Sequence, residues 1–292
     1  MRLALLAALA LTGCARTVDA YKIEAAPAAA AVAPAPDVMA AKRAEADALW
    51  NERGDKAKLQ ASLAAYKALY EANPTDRAVA ERLVRGWYFL GDGHETEKEA
   101  KMSAWLTSID YGRKCLALNT AFTGLLGKGD ETEESAARAF TKDDVSCLYW
   151  TSSALGKWAK VDGIGSTLKH IGTVKAWMKR VGELEPDYYF AGPDRYWGAV
   201  YAASPSFAGQ DLGKSKELLD KAVAAHPKFL GHYVILAEMW AVKKQDKATF
   251  ETTLNWVLAQ PVDALPEVQP EMEAEKRKAQ ALLATGGDLF AN

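Results

Sequence analysis

The chain has 292 residues, of which 49% are apolar and 25% are charged, and this composition is typical of a globular protein with a substantial core. Its formal net charge of −2 at pH 7 lacks the basic surplus that nucleic-acid-binding proteins carry. It also gives no strong attraction to an anionic membrane surface, so we expect no nucleic-acid partner and no direct electrostatic contact with a membrane.

The N-terminus resembles a bacterial lipoprotein signal. A Leu/Ala run from Leu3 to Leu11 follows a basic residue, and Leu11-Thr12-Gly13-Cys14 matches the lipobox pattern. The run is too short for a permanent membrane span. We therefore expect residues 1–13 to be a signal peptide and Cys14 to carry the lipid. Each methylene of the acyl chains that is buried in the membrane adds about 0.8 kcal/mol to the free energy of membrane binding. The alternative is an ordinary secretory signal with a coincidental cysteine.

Residues 14–37 are predicted to be a tether between the lipid and the folded part. Most of this segment is alanine and proline without apolar periodicity, and such sequences favour extended, poorly ordered chain. The remaining residues, 38–292, are predicted to form one helical domain.

Apolar side chains in this domain recur at helical spacing, and no convincing run of alternating β-branched residues occurs. Leu59, Leu63, Tyr66 and Tyr70, for example, follow one helix face. The fold class is therefore predicted to be all-α, with helices at 38–53, 56–72, 76–91, 96–118, 143–161, 164–185, 188–203, 211–225, 229–243, 246–260 and 268–284. The connection 119–142 is rich in Gly and Glu and is predicted to contain one short helix at 131–140, followed by an N-cap at Thr141.

Proline closes several of these helices. Pro74, Pro186, Pro227 and Pro261 each follow an amphipathic segment, and proline cannot continue the helical hydrogen-bond ladder. The last three are 41 and 34 residues apart, about the length of one tetratricopeptide helix pair. The pattern favours an irregular, tetratricopeptide-like superhelix of paired antiparallel helices.

Motifs for catalysis are weak. Gly209 to Ser215 imitates a phosphate loop, but Ala208 stands where its first glycine belongs and no strand precedes it. The four histidines are scattered without metal-ligand spacing. Carboxylates such as Glu133, Glu271 and Glu275 are interpreted as parts of solvated helix faces. We therefore predict no enzyme, no cofactor and no metal site.

Cys115 and Cys147 are the two cysteines beyond the lipobox. In an oxidising compartment they are able to form a disulfide, but both lie on predicted helices whose distance the sequence does not give. A disulfide and two buried free thiols both remain open.

Aromatic residues crowd the stretch from 149 to 201, and core packing explains any one of them. A hollow lined by such rings would also suit an amphiphilic or acidic ligand. Trp150 and Trp158 lie eight residues apart on one predicted helix, and Arg195 and Tyr196 lie on another. We predict that Trp150, Trp158 and Tyr196 line one cavity, with Arg195 at its polar end.

Several long segments resemble a known family, the T component of TRAP transporters, or TatT lipoproteins. They are Leu148–Ala159 (LYWTSSALGKWA), Gly192–Gly198 (GPDRYWG), Pro205–Ser215 (PSFAGQDLGKS), Tyr233–Glu238 (YVILAE) and Lys276–Leu283 (KRKAQALL). The resemblance runs from about residue 75 to 290. It departs from the family pattern at Ala191 and Gln210, where glycines are expected.

This resemblance implies a periplasmic, α-helical lipoprotein that is able to form a homotrimer. We expect it to be anchored to the outer membrane. It implies association with the solute receptor of a TRAP transporter. It also implies a ligand-accessible hole through the helical stack, in which the protein would hold or pass on an organic solute that can be hydrophobic. The membrane contact would be through the lipid anchor only.

Two other functions stay open at this stage. Tetratricopeptide surfaces often bind partner segments, so a peptide-binding scaffold lipoprotein in envelope assembly is the alternative. An enzyme comes third, without a set of residues to support it.

Overall fold

The computed structural model describes residues 20–22, 36–206 and 209–290, and within these ranges it contains helices and connections but no strand. The fold is therefore all-α, as predicted. The α-helices are α1 Pro36–Asn51, α2 Lys56–Ala72, α3 Arg77–Phe89, α4 Lys98–Leu116, α5 Thr120–Leu126, α6 Glu133–Ala136, α7 Val145–Asp162, α8 Ile164–Leu184, α9 Tyr188–Ala203, α10 Leu212–Ala225, α11 Leu230–Ile235, α12 Val242–Lys244, α13 Lys247–Ala259 and α14 Gln269–Thr285.

The helix ends follow the local chemistry of the sequence. The helices before Pro74, Pro186, Pro227 and Pro261 each end two residues before the proline. Four helices begin at an aspartate whose side chain accepts a hydrogen bond from a backbone N–H of the first turn, which satisfies a donor that the helix leaves unpaired. These N-caps are Asp55, Asp76, Asp211 and Asp246.

Two predicted helices contain wider turns. α3 continues from Phe89 into a π-helical segment, Leu90–His94, and α11 continues into a second one, Leu236–Ala241. The connection 119–142 also holds more structure than predicted. In addition to α6 and the 3₁₀ turn Ala137–Ala139 it contains α5, whose N-cap is Asn119. The predicted N-cap at Thr141 is confirmed as a capping box with Asp144.

α4 and α7 cross inside one of two clusters of buried hydrophobic residues. Cys115 of α4 and Cys147 of α7 form a disulfide with their Cα atoms 6.1 Å apart, which settles the alternative that the sequence left open. The helices approach closely because Gly112 has no side chain. A Cβ atom there would stand 2.0 Å from the hydroxyl oxygen of Thr151.

The last helix, α14, contacts the N-terminal part of the domain. Glu271 at the start of α14 forms an ion pair with Arg53, which follows α1, and with Arg85 of α3. Lys278 of the same helix pairs with Asp92 in the first π-helical segment. These contacts join residues that lie 186 to 218 positions apart in the chain, so the superhelix closes back on its own beginning.

One residue of the segment predicted as the tether packs on the domain. Tyr21 is 3% exposed; its ring lies edge-on to Phe122 and its hydroxyl donates to Glu133 across 2.5 Å. The predicted signal peptide and Cys14 lie outside the described residues. No helix in the ranges that the structure describes combines the length and the apolar character that a membrane crossing requires.

Candidate functional site

A cavity of about 420 Å³ lies where α3, α4, α7, α9, α11 and α14 meet. This volume is within the range of small-molecule pockets, roughly 300–1,000 Å³. The lining residues include aromatic, aliphatic and charged side chains, namely Arg85, Tyr88, Phe89, Gly91, Asp92, Lys101, Trp105, Tyr149, Trp150, Lys157, Tyr189, Arg195, Phe229, Gly231, Val234, Ile235, Glu238, Glu271, Ala274, Glu275, Lys278, Ala281, Leu282 and Thr285.

Aromatic rings form a continuous wall of this cavity. Trp150 contacts Tyr149 and Tyr189 with ring centroids 4.9 and 4.6 Å apart, and Tyr189 lies 5.6 Å from Phe229. All three contacts are edge-to-face, which is a preferred arrangement of aromatic pairs. The wall offers a large apolar surface that is held in place by ring-to-ring packing.

The wall depends on an unusual turn at the start of α9. Tyr189, Phe190 and Ala191 have φ angles of 50°, 59° and 50°, in the left-handed region that costs an L-residue roughly 1–2 kcal/mol. Ala191 is one of the positions where we expected glycine, which adopts this conformation without the steric cost. Strained backbone of this kind is concentrated at functional sites.

Arg195 holds this turn. Its guanidinium donates to the carbonyl oxygens of Phe190 (3.0 Å) and Tyr189 (3.3 Å) and to the hydroxyl of Tyr149 (2.8 Å). The side chain also lies 4.7 Å from the centroid of the Phe229 ring. Arg195 is 9% exposed, and no carboxylate among the described residues lies within ion-pair distance of it. It therefore combines a positioning role with an uncompensated buried charge.

A histidine next to Arg195 stays neutral. Nδ1 of His232 lies 3.4 Å from a guanidinium nitrogen of Arg195, and the imidazole is fully buried. Burial and the positive charge of Arg195 lower the pKa of His232 to about 2. The residue adds no charge to this part of the site at neutral pH.

Arg85 and Glu271 form a second charged group. Arg85 donates to Glu271 across 2.7 Å, and Arg53 donates to the same carboxylate across 2.8 and 3.1 Å. Burial by itself would raise the pKa of Glu271, but the two guanidinium groups outweigh it and hold the pKa below its usual value. The interpretation of Glu271 as a solvated residue was therefore wrong, since it is only 8% exposed.

A third charged group lies on the first π-helical segment. Asp92 forms ion pairs with Lys157 of α7 and with Lys278 of α14, and Lys278 also pairs with Glu275 across 2.8 Å. Burial would raise the pKa of Asp92, but the two ammonium groups outweigh it and hold the pKa well below its ordinary range. The π-helical turn places this carboxylate in the cavity wall, in keeping with the frequent occurrence of such turns at functional sites.

The structure brings together two of the four residues predicted to bind ligand. Trp150 and Arg195 line the cavity, whereas Trp158 and Tyr196 are absent from its lining. Trp158 packs near His170, with ring centroids 5.9 Å apart, and Tyr196 packs against Trp197 at 5.4 Å. The expectation that all of them share one cavity was wrong on this point.

Helical geometry explains the difference. Successive helix residues are 100° apart, so Tyr196 cannot point the same way as its neighbour Arg195. Position 157, seven residues after Trp150, returns to nearly the same face, while position 158 is rotated by about 80°. Tyr149 and Lys157 are lining residues of this helix that were not predicted, and the seven-residue spacing from Trp150 was the signal for Lys157.

Segments far apart in sequence meet at the cavity. Four of the five segments that carry the family resemblance contribute lining residues, Leu148–Ala159, Gly192–Gly198, Tyr233–Glu238 and Lys276–Leu283, whereas Pro205–Ser215 does not. No group of three or more His, Cys, Asp or Glu side chains that could hold a metal ion occurs in the described residues.

Comparison with known proteins agrees with these segments. The family model of the TRAP transporter T-component matches residues 94–290, which is about two thirds of the chain. No match was found among curated proteins. The matched range contains most of the cavity wall, from Lys101 on α4 to Thr285 on α14. The chain thus belongs to the TRAP transporter T-component family.

Proposed function

We propose that this TRAP transporter component is a periplasmic lipoprotein that holds an organic solute in the cavity and passes it on in association with the transporter's solute receptor. The proposal is supported mainly by the composition of the cavity wall. Four of the segments that resemble the family contribute to this wall, although they are spread over 136 residues of sequence, from Leu148 to Leu283. A binding role accounts for that convergence. We assign Trp150 and Arg195 to the site, and we add Tyr189, Lys157 and Asp92.

The wall chemistry supports an amphiphilic solute. Rings of Trp150, Tyr149 and Tyr189 provide apolar surface, and charged groups stand beside them. Pockets for organic ligands generally combine a mainly apolar lining with a few placed polar groups. The solute would therefore be organic, with a hydrophobic part against the rings.

The anchor at Cys14 is part of this proposal. Tyr21, which is buried against Phe122, lies seven positions after Cys14, and seven residues of extended chain reach about 25 Å at most. A lipid on Cys14 would thus keep the domain close to the membrane surface, which we propose is the outer membrane. We likewise propose a homotrimer as the assembled state, from the family resemblance alone.

Crosslinking in cells, followed by identification of the crosslinked partner, tests the function. We expect a TRAP solute receptor. An envelope-assembly factor would overturn the proposal and favour the alternative, a peptide-binding scaffold. Titration of hydrophobic acids and of peptides against the purified mature protein separates the same two functions.

The cavity is tested with a matched pair of variants on α14. Ala281 lies at an exposed edge of the cavity lining, whereas Ala284 on the same helix is also exposed but is absent from the lining. Ala281→Trp places a bulky ring at that edge and should reduce binding of the fluorescent amphiphile 8-anilinonaphthalene-1-sulfonate at least tenfold, and Ala284→Trp should leave it unchanged. Equal binding by both variants would remove the cavity from the proposal.

A further inference from the structure

The charges around the cavity are unevenly compensated. On the side of Asp92, two lysines share this carboxylate and Lys278 has Glu275 as a second partner, so two ammonium groups face two carboxylates. This group of four is neutral, and the two other charged side chains of the lining on this side, Lys101 and Glu238, are of opposite sign. An anionic ligand gains no net attraction from it, although lysines are the residues that one would first choose as an anion site.

On the side of Arg195 the cations outnumber the anions. Arg53 and Arg85 share the single carboxylate of Glu271, and Arg195 has no carboxylate partner in the described part of the chain. His232 contributes no charge, because its pKa is depressed to about 2. Three buried or half-buried guanidinium groups therefore face one carboxylate, which leaves two positive charges without a counter-charge.

Such a surplus is costly in a folded protein. Charges removed from water must be paired or hydrogen-bonded, and neutral acceptors compensate a guanidinium only in part. Arg195 uses the carbonyl oxygens of Tyr189 and Phe190 and the hydroxyl of Tyr149 for this purpose. An anion in the cavity would supply the missing counter-charge.

The two arginines that line the cavity are joined by one ring. The guanidinium carbons of Arg85 and Arg195 lie 5.2 and 5.8 Å from the centroid of Tyr189. Among the described residues the guanidinium of Arg85 donates only from Nη2, to Glu271, and its side chain is 20% exposed, so part of the guanidinium stays available to a ligand. Arg195 has its terminal N–H groups engaged within the protein and acts as a fixed positive charge beside it.

We propose that the cavity takes an amphiphilic organic anion whose acidic group lies at the Arg85–Tyr189–Arg195 side and not at the lysine side. The apolar part of the anion packs on the aromatic wall. This inference rests on the proposed function, because it names the ligand class of the same cavity. It assigns Arg85 as a direct donor to the acidic group and Glu271 as the residue that limits the positive surplus.

Two fluorescent probes of nearly the same shape test the charge preference. 8-Anilinonaphthalene-1-sulfonate is an anion, and N-phenyl-1-naphthylamine is the neutral molecule without the sulfonate. With the mature protein at one fixed ionic strength, we expect the dissociation constant of the anion to be at least tenfold lower. A neutral probe that binds equally well would overturn the proposal.

Variants with opposite effects on the charge surplus test the assignment. Arg85→Gln should lower the preference for the anionic probe several-fold, and Arg85→Lys should retain most of it. Glu271→Gln leaves the surplus larger and should raise the preference. Because partly unfolded chains also bind this probe, near-ultraviolet circular dichroism must show native packing for each variant. An unchanged ratio of the two dissociation constants in Arg85→Gln and Glu271→Gln would refute the assignment.

The result separates the two proposals. If Ala281→Trp blocks both probes while the charge variants leave their ratio unchanged, the cavity binds organic solutes but does not select anions at this side. If Ala281→Trp blocks neither probe, neither probe occupies the cavity and both proposals fail.

Discussion

Nη2 of Arg195 donates a hydrogen bond to the phenolic oxygen of Tyr149 across 2.8 Å. This bond joins α9 to α7 and fixes both a buried charge and an aromatic ring of the cavity wall, since both residues are at most 9% exposed. Tyr149→Phe keeps the ring and removes the acceptor. A hydrogen bond to a charged group contributes about 1.5–3 kcal/mol, so the free energy of unfolding in urea should fall by about that amount.

A second tyrosine provides the control for this change. Tyr233 donates from an exposed position to the carbonyl oxygen of Pro227, and the water there replaces a lost bond. Tyr233→Phe should change the free energy of unfolding by less than about 0.5 kcal/mol. If the free energy of unfolding falls by the same amount in both variants, the Arg195–Tyr149 bond stabilises the fold no more than an exposed hydrogen bond does.

Gly192 permits the close contact of α9 with Tyr149. A Cβ atom there would lie 2.7 Å from both the ring and the hydroxyl oxygen of Tyr149. Gly192→Ala should therefore lower the free energy of unfolding by about 1–3 kcal/mol, the usual cost of overpacking. Gly165 on α8 has nothing within 4 Å, and Gly165→Ala should raise stability by up to about 1 kcal/mol. A destabilised Gly165→Ala or a neutral Gly192→Ala contradicts this description of the contact.

Because His232 is buried with a lowered pKa, we expect the stability of the protein to depend on pH. Its pKa is lowered from 6.5 to about 2 by burial and by Arg195, so below pH 6.5 the unfolded chain binds a proton that the folded protein does not. Stability due to this group is complete above pH 6.5 and falls by up to about 1.4 kcal/mol per pH unit as the pH drops. Urea unfolding between pH 6.5 and 4.5 measures the slope.

His232→Asn is the matched variant for that slope. Asparagine offers an acceptor to Arg195 but does not titrate, so the variant should be less stable at pH 7 and should show a flatter pH dependence. The carboxylates titrate in both proteins and cancel in the comparison. Parallel pH profiles would show that His232 takes up its proton in the folded state.

The disulfide stabilises the crossing of α4 and α7. Cys115 and Cys147 close a loop with a sequence separation of 32 residues, and in the chain-entropy description such a loop contributes about 3–4 kcal/mol. The double variant Cys115→Ala, Cys147→Ala should lose that amount in urea unfolding. Mass spectrometry of the alkylated, unreduced protein checks the bond directly, and two free thiols would refute it.

Cys14 carries the prediction of lipid anchoring. Cys14→Ser removes the sulfur to which the diacylglyceryl group would be attached, so the variant should accumulate as unprocessed precursor or as a form released from the membrane. Metabolic labelling with a fatty acid, followed by membrane fractionation, measures this. Labelled protein from Cys14→Ser would show that the lipobox interpretation is wrong.

Local chemistry was sufficient to predict most of the helices. The 3.6-residue apolar period, the aspartate N-caps and four prolines act within a few residues, and the observed helices agree with the predicted ones to within one to three residues at most ends. The connection 119–142 was less predictable, because α5 is only seven residues long and a short helix carries little periodic signal. The two π-helical segments were also missed, since their sequences have the same apolar pattern as ordinary helix.

The candidate site was predictable only in part, and the reason is physical. Periodicity shows which face of a helix is apolar, but it does not show which distant residue will meet a charged side chain on that face. Glu271 has the sequence context of a solvated glutamate, yet α14 returns to α3 and buries it between Arg53 and Arg85. The sequence by itself determined the helical class, the helix ends and the family. The tertiary structure decided which of these helices enclose a cavity and which charges are left without a partner, because such pairings join residues about 200 positions apart and depend on the whole path of the chain.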